Sequence, residues 1–272
     1  MHKIFLSLFF YVIFIFSGAT AGWLAAEEFQ TPEWKSTAQF EAPKVVDLGN
    51  YYALYSTYQL VKGGSSQNSY LDEEVTQNSF IEFKRNLTSP DVLQHFLVQN
   101  EWVKRIAAEQ KQPVALVAQG LLARFQYDEN RNSFSLTLTS PEESARLLSE
   151  FIQFVTLQTR AILNDELVAK WKILFQQVKQ SAESNLGAIQ QGGQIAQQDW
   201  NGKLNMMRSV QPLDNQLKPF RFIKSPKVPQ KAEAPEDQSL WAVIGGAIGL
   251  LLAFFIWFLS AVTRGDFKKS DG

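Results

Sequence analysis

The chain has 272 residues, no cysteine, two histidines (His2 and His95) and a formal net charge of -1 from 26 basic and 27 acidic side chains. That length accommodates one or two domains, while the lack of thiols excludes a disulfide framework and any cysteine-based zinc or redox centre. Two histidines leave little for a histidine-rich metal site, and a balance this close to neutral gives no reason to expect nucleic acid as a partner.

The first element is apolar. Between Ile4 and Ala26 only Ser7, Tyr11, Ser17 and Thr20 are neither apolar nor small, and roughly 20 such residues cross a bilayer as a helix. Two readings are open for it. It is a transmembrane helix over 4–26, or it is a signal peptide with Lys3 in front, an apolar core at Ile4–Phe16 and small residues at Ala19 and Ala21 for cleavage. Hydrophobicity that resumes at Trp23–Ala26 favours the span.

Beyond it, Phe40–Val46 alternates loosely as a strand whose Pro43 confines it to an edge or an end. Asn50–Val61 carries Tyr52, Tyr55, Leu54 and Tyr58 at helical spacing. The glycine- and serine-rich stretch Gly63–Ser69 reads as a loop. Two or three short helices are expected between Tyr70 and Gly120, one opened by Ser89 as cap and Pro90 at its first position. Leu121–Thr139 alternates on both sides of a polar turn at Asp128–Asn132, as a hairpin with one buried face does. A lone hairpin is marginal, and the strand at Phe40–Val46 is the available third. Asn86–Thr88 also fits a glycosylation triplet.

Ser140-Pro141-Glu142-Glu143 combines a capping serine, a following proline and a glutamate three residues from the cap, a helix start. No breaker follows for a long way, so a helix over about 141–186 would run about 69 Å. Its apolar stripe, from Leu148 through Val178, needs cover. The segment after Gly187, Gln-rich and broken by Gly192 and Gly193, turns back as a shorter helix but is too polar to cover it all. A neighbouring copy in a ring supplies the remainder, or the helix packs within its own α+β domain.

The last third holds a proline-rich segment, 212–235, and a second uncharged apolar run, 240–262. Lys3 precedes the first run and Glu27 and Glu28 follow it. Glu233, Glu236 and Asp237 precede the second run, and Arg264, Lys268 and Lys269 follow it. The positive-inside rule then leaves 1–3 and 263–272 in the cytoplasm and 27–239 outside. Gly18 and Gly22 are four residues apart, as are Gly245 and Gly249 with Gly246 between, a spacing that lets membrane helices approach closely.

No catalytic constellation emerges. His95 has no patterned carboxylate beside it, and the acids at Asp72–Glu74 and Glu142–Glu143 read as helix N-terminal charges. The glycines at 245–249 have no following lysine to make a phosphate loop. The expectation is a non-enzyme with no cofactor and no metal.

Three segments in order resemble the Wzz-type polysaccharide co-polymerases, the chain-length determinants of bacterial surface glycans. They are Trp34–Tyr52 after the first apolar run, Arg131–Ile152 across a strand and a helix start, and Ser225–Gly249, where spaced prolines meet a glycine-bearing run. The resemblance implies an α+β fold in which two transmembrane helices flank a periplasmic domain with a small mixed sheet as base and a long projecting helix. It implies inner-membrane localisation, ring-like homo-oligomers, and work beside a Wzy-type polymerase on the length of O-antigen or a related glycan, with membrane lipid and the growing glycan as further contacts. It also makes Pro226, Pro229 and Pro235 with Gly245, Gly246 and Gly249 the junction that meets neighbours or the polymerase. The chain differs from that pattern in its short segment before the first run and in the glycine-broken region after the long helix. The alternative is a single-span periplasmic scaffold or binding protein with a cleaved leader.

Overall fold

The computed structural model describes residues 2–29, 31–63, 68–184, 188–191, 194–197, 200–233 and 238–263. In chain order the first elements are α1 (His2–Phe29), β1 (Trp34–Glu41), a 3-10 turn (Val45–Leu48), α2 (Asn50–Lys62), α3 (Asn68–Leu87), α4 (Pro90–Gln99), α5 (Glu101–Gln110) and α6 (Val114–Leu122). Then follow β2 (Phe125–Asp128), β3 (Ser133–Leu138), α7 (Pro141–Glu183), β4 (Ala188–Gln191), β5 (Gln194–Gln197), α8 (Trp200–Arg208), β6 (Arg221–Lys224) and α9 (Gln238–Thr263). The chain divides into two units, one of residues 1–35, 137–144 and 228–272, the other of residues 36–136 and 145–227.

In the first unit α1 and α9 pack along their length, and Glu233 donates its N–H to the Glu33 carbonyl at 2.8 Å. One helical segment among the described residues, Ser239–Leu259, is long and apolar enough to cross a membrane, and the apolar stretch of α1 among them, Tyr11–Ala26, is shorter. The helix start read at Ser140 is present: its hydroxyl accepts from the Glu143 N–H at 3.3 Å, and Pro141 occupies the first helical position.

The second unit is built on a four-stranded sheet of order β2-β3-β1-β6. Both β2–β3 and β1–β6 are antiparallel pairs, where a mixed sheet was expected. β1 begins at Trp34 rather than Phe40. Ser36, Ala38 and Phe40 alternate as its buried face, and the strand stops before Pro43, which has no N–H for a ladder. The hairpin is real but its first strand starts at Phe125, because Leu121 and Leu122 complete α6. Its turn is closed by Asp128, whose Oδ1 accepts from the N–H groups of Asn130 (3.0 Å) and Arg131 (3.3 Å). Between Asn68 and Leu122 four helices stand where two or three were expected, and Ser89 caps α4 as read.

Aromatic side chains fill the space over the sheet. Phe83 stacks on Phe220 at 4.2 Å between centroids, Phe40 meets both edge-on, and Phe134 and Phe96 close on Phe151 of α7. Farther along α7, Leu163 and Leu167 pack with Leu48, Tyr51, Leu54, Val75 and Leu217. Farther still, Val178 packs with Val61, Leu204 and Met207. The apolar stripe of α7 is therefore covered by the chain's own α2, α3 and α8, which is the second of the two ways left open by the sequence.

α7 has 43 residues, about 64 Å at 1.5 Å per residue, and it ends at Glu183 rather than near 186. The return segment is not one short helix. β4 and β5 pair as an antiparallel ribbon, and among the described residues of this segment the helical ones are Trp200–Arg208. Ala188, Ile189, Gln190 and Gln191 lack helical periodicity, whereas Leu204 and Met207, three residues apart, sit on one buried face.

Candidate functional site

The two glycine pairs read in the sequence face each other. α1 and α9 run antiparallel, so that Phe14, Gly18 and Gly22 lie opposite Gly249, Gly245 and Trp241. A Cβ on Gly18 would stand 2.3 Å from the Gly245 carbonyl oxygen, and one on Gly22 would stand 2.2 Å from that of Trp241. A Cβ on Gly245 would stand 2.2 Å from the Gly18 oxygen, and one on Gly249 would stand 2.2 Å from that of Phe14. The obstacle is backbone in each case, so the two helices touch main chain to main chain. Gly246 is different: its nearest neighbour would be the Ala19 side chain at 3.7 Å. Two hydroxyls of α1, those of Ser17 and Thr20, turn back on their own helix. Ser17 donates to the Phe14 carbonyl at 3.2 Å, and Thr20 donates to that of Phe16 at 2.8 Å.

The prolines distribute differently. Pro226 is half-buried in the second unit and lines a groove; Pro229 is half-buried in the first unit; Pro235 lies outside the described residues. The groove, about 880 Å³, runs between α7 and β6. Ser149, Gln153, Thr156 and Arg160 line it from α7 at helical spacing, and Phe220, Phe222, Lys218 and Arg221 line it from the other side. Arg160 donates to the Leu217 carbonyl at 3.0 Å, and Arg221 pairs with Asp47 at 3.4 Å. A second open groove, about 550 Å³, lies between β1 and α3 and is lined by Gln39, Phe80, Lys84, Arg131 and Ile223. Nothing in the residues 212–235 read as a proline-rich segment pointed to these grooves. The adjacent strand-favouring residues Phe222 and Ile223 inside it are the local signal for β6.

His95 is exposed, lies 2.9 Å from the Gln99 amide nitrogen and leans on the ring of Phe154. Asn86 is buried, with its amide nitrogen donating to the Glu82 carbonyl at 2.9 Å and to Thr159 at 3.3 Å, so the asparagine that opens the triplet is built into the interior while Thr88 is exposed. Among the described residues no group of three or more His, Asp or Glu side chains could hold a metal ion. A tyrosine row on α2 meets carboxylates of α3. Tyr52 donates to Asp72, and Tyr55 donates to Glu74 at 3.0 Å. Burial, opposed by a hydrogen bond from Gln59 and aided by Glu74, pushes the Tyr55 hydroxyl up to about 12. Burial foremost, then Tyr55 and Glu166, pushes Tyr51 up as well.

No protein-family model matches the chain. An uncharacterized protein of Haemophilus influenzae is 34% identical over 109 residues, which are 40% of this chain and 95% of that protein. The "ECA polysaccharide chain length modulation protein" of Escherichia coli K12 is 23% identical, with 83% of this chain and 84% of that protein covered. Among solved structures, a "full-length bacterial polysaccharide co-polymerase" superimposes with a TM-score of 0.60 at 12% identity, over 100% of this chain and 99% of that one. A fragment of WzzB, a polysaccharide co-polymerase from Salmonella Typhimurium, gives 0.51 at 16% identity over 74% of this chain and 99% of the fragment.

Proposed function

We propose, on the premise that this chain has the fold of a Wzz-type polysaccharide co-polymerase, that it regulates the modal chain length of a bacterial surface polysaccharide. It does so without bond-making chemistry of its own, as a ring-like homo-oligomer in the inner membrane beside a Wzy-type polymerase. The glycan is the enterobacterial common antigen, O-antigen or a related polymer. Two spans hold it, with both termini in the cytoplasm and the domain between them in the periplasm. The observation that carries this reading is a fold likeness that extends over the whole chain, helices α1 and α9 included. The charge flanking the two apolar runs supports the orientation.

The rival, a single-span scaffold released from a cleaved leader, is disfavoured by the contact between the helices. A cut before Gly22 would remove Phe14 and Gly18, which lie against Gly249 and Gly245. Deleting the gene and resolving both O-antigen and common-antigen ladders on gels tests the function. The modal cluster of one ladder is expected to collapse into a smooth distribution and to return on complementation. Two unchanged ladders would refute the reading.

A further inference from the structure

The larger groove of the sheet unit, about 880 Å³ between α7 and β6, has the size of a site for a small organic ligand. On its α7 wall Ser149, Gln153, Thr156 and Arg160 share one helical face and span about 16 Å. The hydroxyls of Ser149 and Thr156 donate back to the Ala145 and Ile152 carbonyls at 2.8 and 2.6 Å, so each still has lone pairs with which to accept. Gln153 is exposed, and its amide both donates and accepts. Two cations meet at one end of this row. Arg160 is half-buried and its Nε donates to the Leu217 carbonyl at 3.0 Å, which fastens the guanidinium beside residue 218, an exposed lysine. Arg221 on the same groove is matched by Asp47 at 3.4 Å, whereas among the described residues neither Arg160 nor Lys218 is in an ion pair. In a chain whose formal net charge is -1, two unmatched positive charges side by side repel each other unless an anion joins them. A guanidinium with terminal nitrogens to spare suits a carboxylate or a phosphate. Across the groove Phe222 is 44% exposed, although its ring meets those of Phe40 at 5.6 Å and Phe220 at 4.9 Å. Those neighbours hold the ring in place and leave part of it open, as a stacking platform requires.

We propose that this groove binds an acidic oligosaccharide. A carboxylate or phosphate on one sugar sits between Arg160 and Lys218, the apolar C–H face of an adjoining ring packs on Phe222, and sugar hydroxyls bond to the row on α7. An anionic lipid headgroup would answer the two cations but leave the polar row and the aromatic ring unused. The inference rests on the glycan-length function proposed above and names the chemical class of the glycan and the surface that receives it.

Ligand-observed NMR titrations of the full-length chain in mild detergent test the site with trigalacturonate for the carboxylate, phosphopentamannose for the phosphate, and neutral maltotriose. At least one acidic probe is expected to bind, more weakly as ionic strength rises, and maltotriose to bind about tenfold more weakly or less. Lys218 and Gln153 are both exposed, so Lys218→Glu and Gln153→Glu make little demand on the fold. Each is expected to weaken the acidic probe about tenfold, as the loss of one charge-assisted contact does. Phe222→Leu keeps an apolar side chain without the ring and should weaken it about three- to fivefold. The site is overturned if neither acidic probe binds, if maltotriose binds equally well, or if both charge variants bind as the wild type does. In a deletion strain complemented with Lys218→Glu at matched protein level, the modal glycan cluster should shift; lost binding with an unmoved cluster would overturn the groove's part in length control. Acidic-probe binding that follows the variants, in a chain whose deletion leaves both glycan ladders unchanged, would uphold the groove and refute only the function assigned to it.

Discussion

A Cβ on Gly245 would come within 2.2 Å of a main-chain oxygen that cannot turn aside as the tip of a side chain can. Alanine there must push α1 and α9 apart, while alanine at Gly246 meets only ordinary contact at 3.7 Å and improves helix propensity. The full-length chain in mild detergent is therefore expected to lose about 2 kcal/mol with Gly245→Ala, a typical cost of overpacking, and nothing with Gly246→Ala. Gly249→Leu should leave the sheet unit folded yet disturb the glycan ladder. Equal melting curves for the two alanine variants would remove the contact from the account. Tyr55 supplies a second residue-scale test. Its folded value, about 12, lies above its unfolded value of 10.0, so the folded state holds the proton more tightly. The stability this confers is complete below pH 10 and is lost as pH rises from 10 to 12. Melting temperature should fall across that window, and Tyr55→Phe should flatten the fall.

Helix α7 shows what an element owes to its own residues and what it owes to distant ones. Its start is local: Ser140 caps Glu143 and Pro141 follows, and Ser140→Ala is expected to cost about 1 kcal/mol in chemical denaturation. Its cover is not local, since Leu163 and Leu167 are met by Leu48, Tyr51, Val75 and Leu217. Periodicity reveals that a stripe must be buried but carries no address for the partner, so a neighbouring copy and the chain's own α2 were equally admissible. Leu167→Ala should then destabilise the chain by about 2–5 kcal/mol and leave the oligomeric mass by native mass spectrometry unchanged. A lost oligomer with an unchanged melt would mean that the stripe serves the interface. The same physics explains the strands that sequence misplaced. β1 was missed before Phe40 because its inward residues there, Ser36 and Ala38, are too small to raise hydropathy. β2 was started too early because the leucines that close α6 continue its alternation by chance. The glycine spacing was legible, yet whether Gly18 and Gly22 meet the same chain or another one was not, because a close helix approach looks the same from one side.

At the scale of the molecule, the question is whether α1 is a lasting part of the protein or only its means of export. An exported leader has no reason to match a helix some two hundred residues away, whereas three successive positions of α1, at 14, 18 and 22, each meet backbone on α9. Without α1, the carbonyl-to-glycine contacts of α9 would face lipid, whose chains fill a flat glycine surface less well than a second backbone does. The full 30.9 kDa chain is therefore expected in the inner membrane by intact mass, with at most the initiator methionine removed. Replacing residues 1–29 by a cleavable leader should leave the sheet unit resistant to protease in the periplasm, because its aromatic core draws on no residue before Ser36. The same variant should fail to restore the modal glycan cluster to a deletion strain. If it restores that cluster fully, α1 is dispensable, the single-span reading replaces the two-span one, and the contact between the glycines becomes a matter of stability rather than of length control.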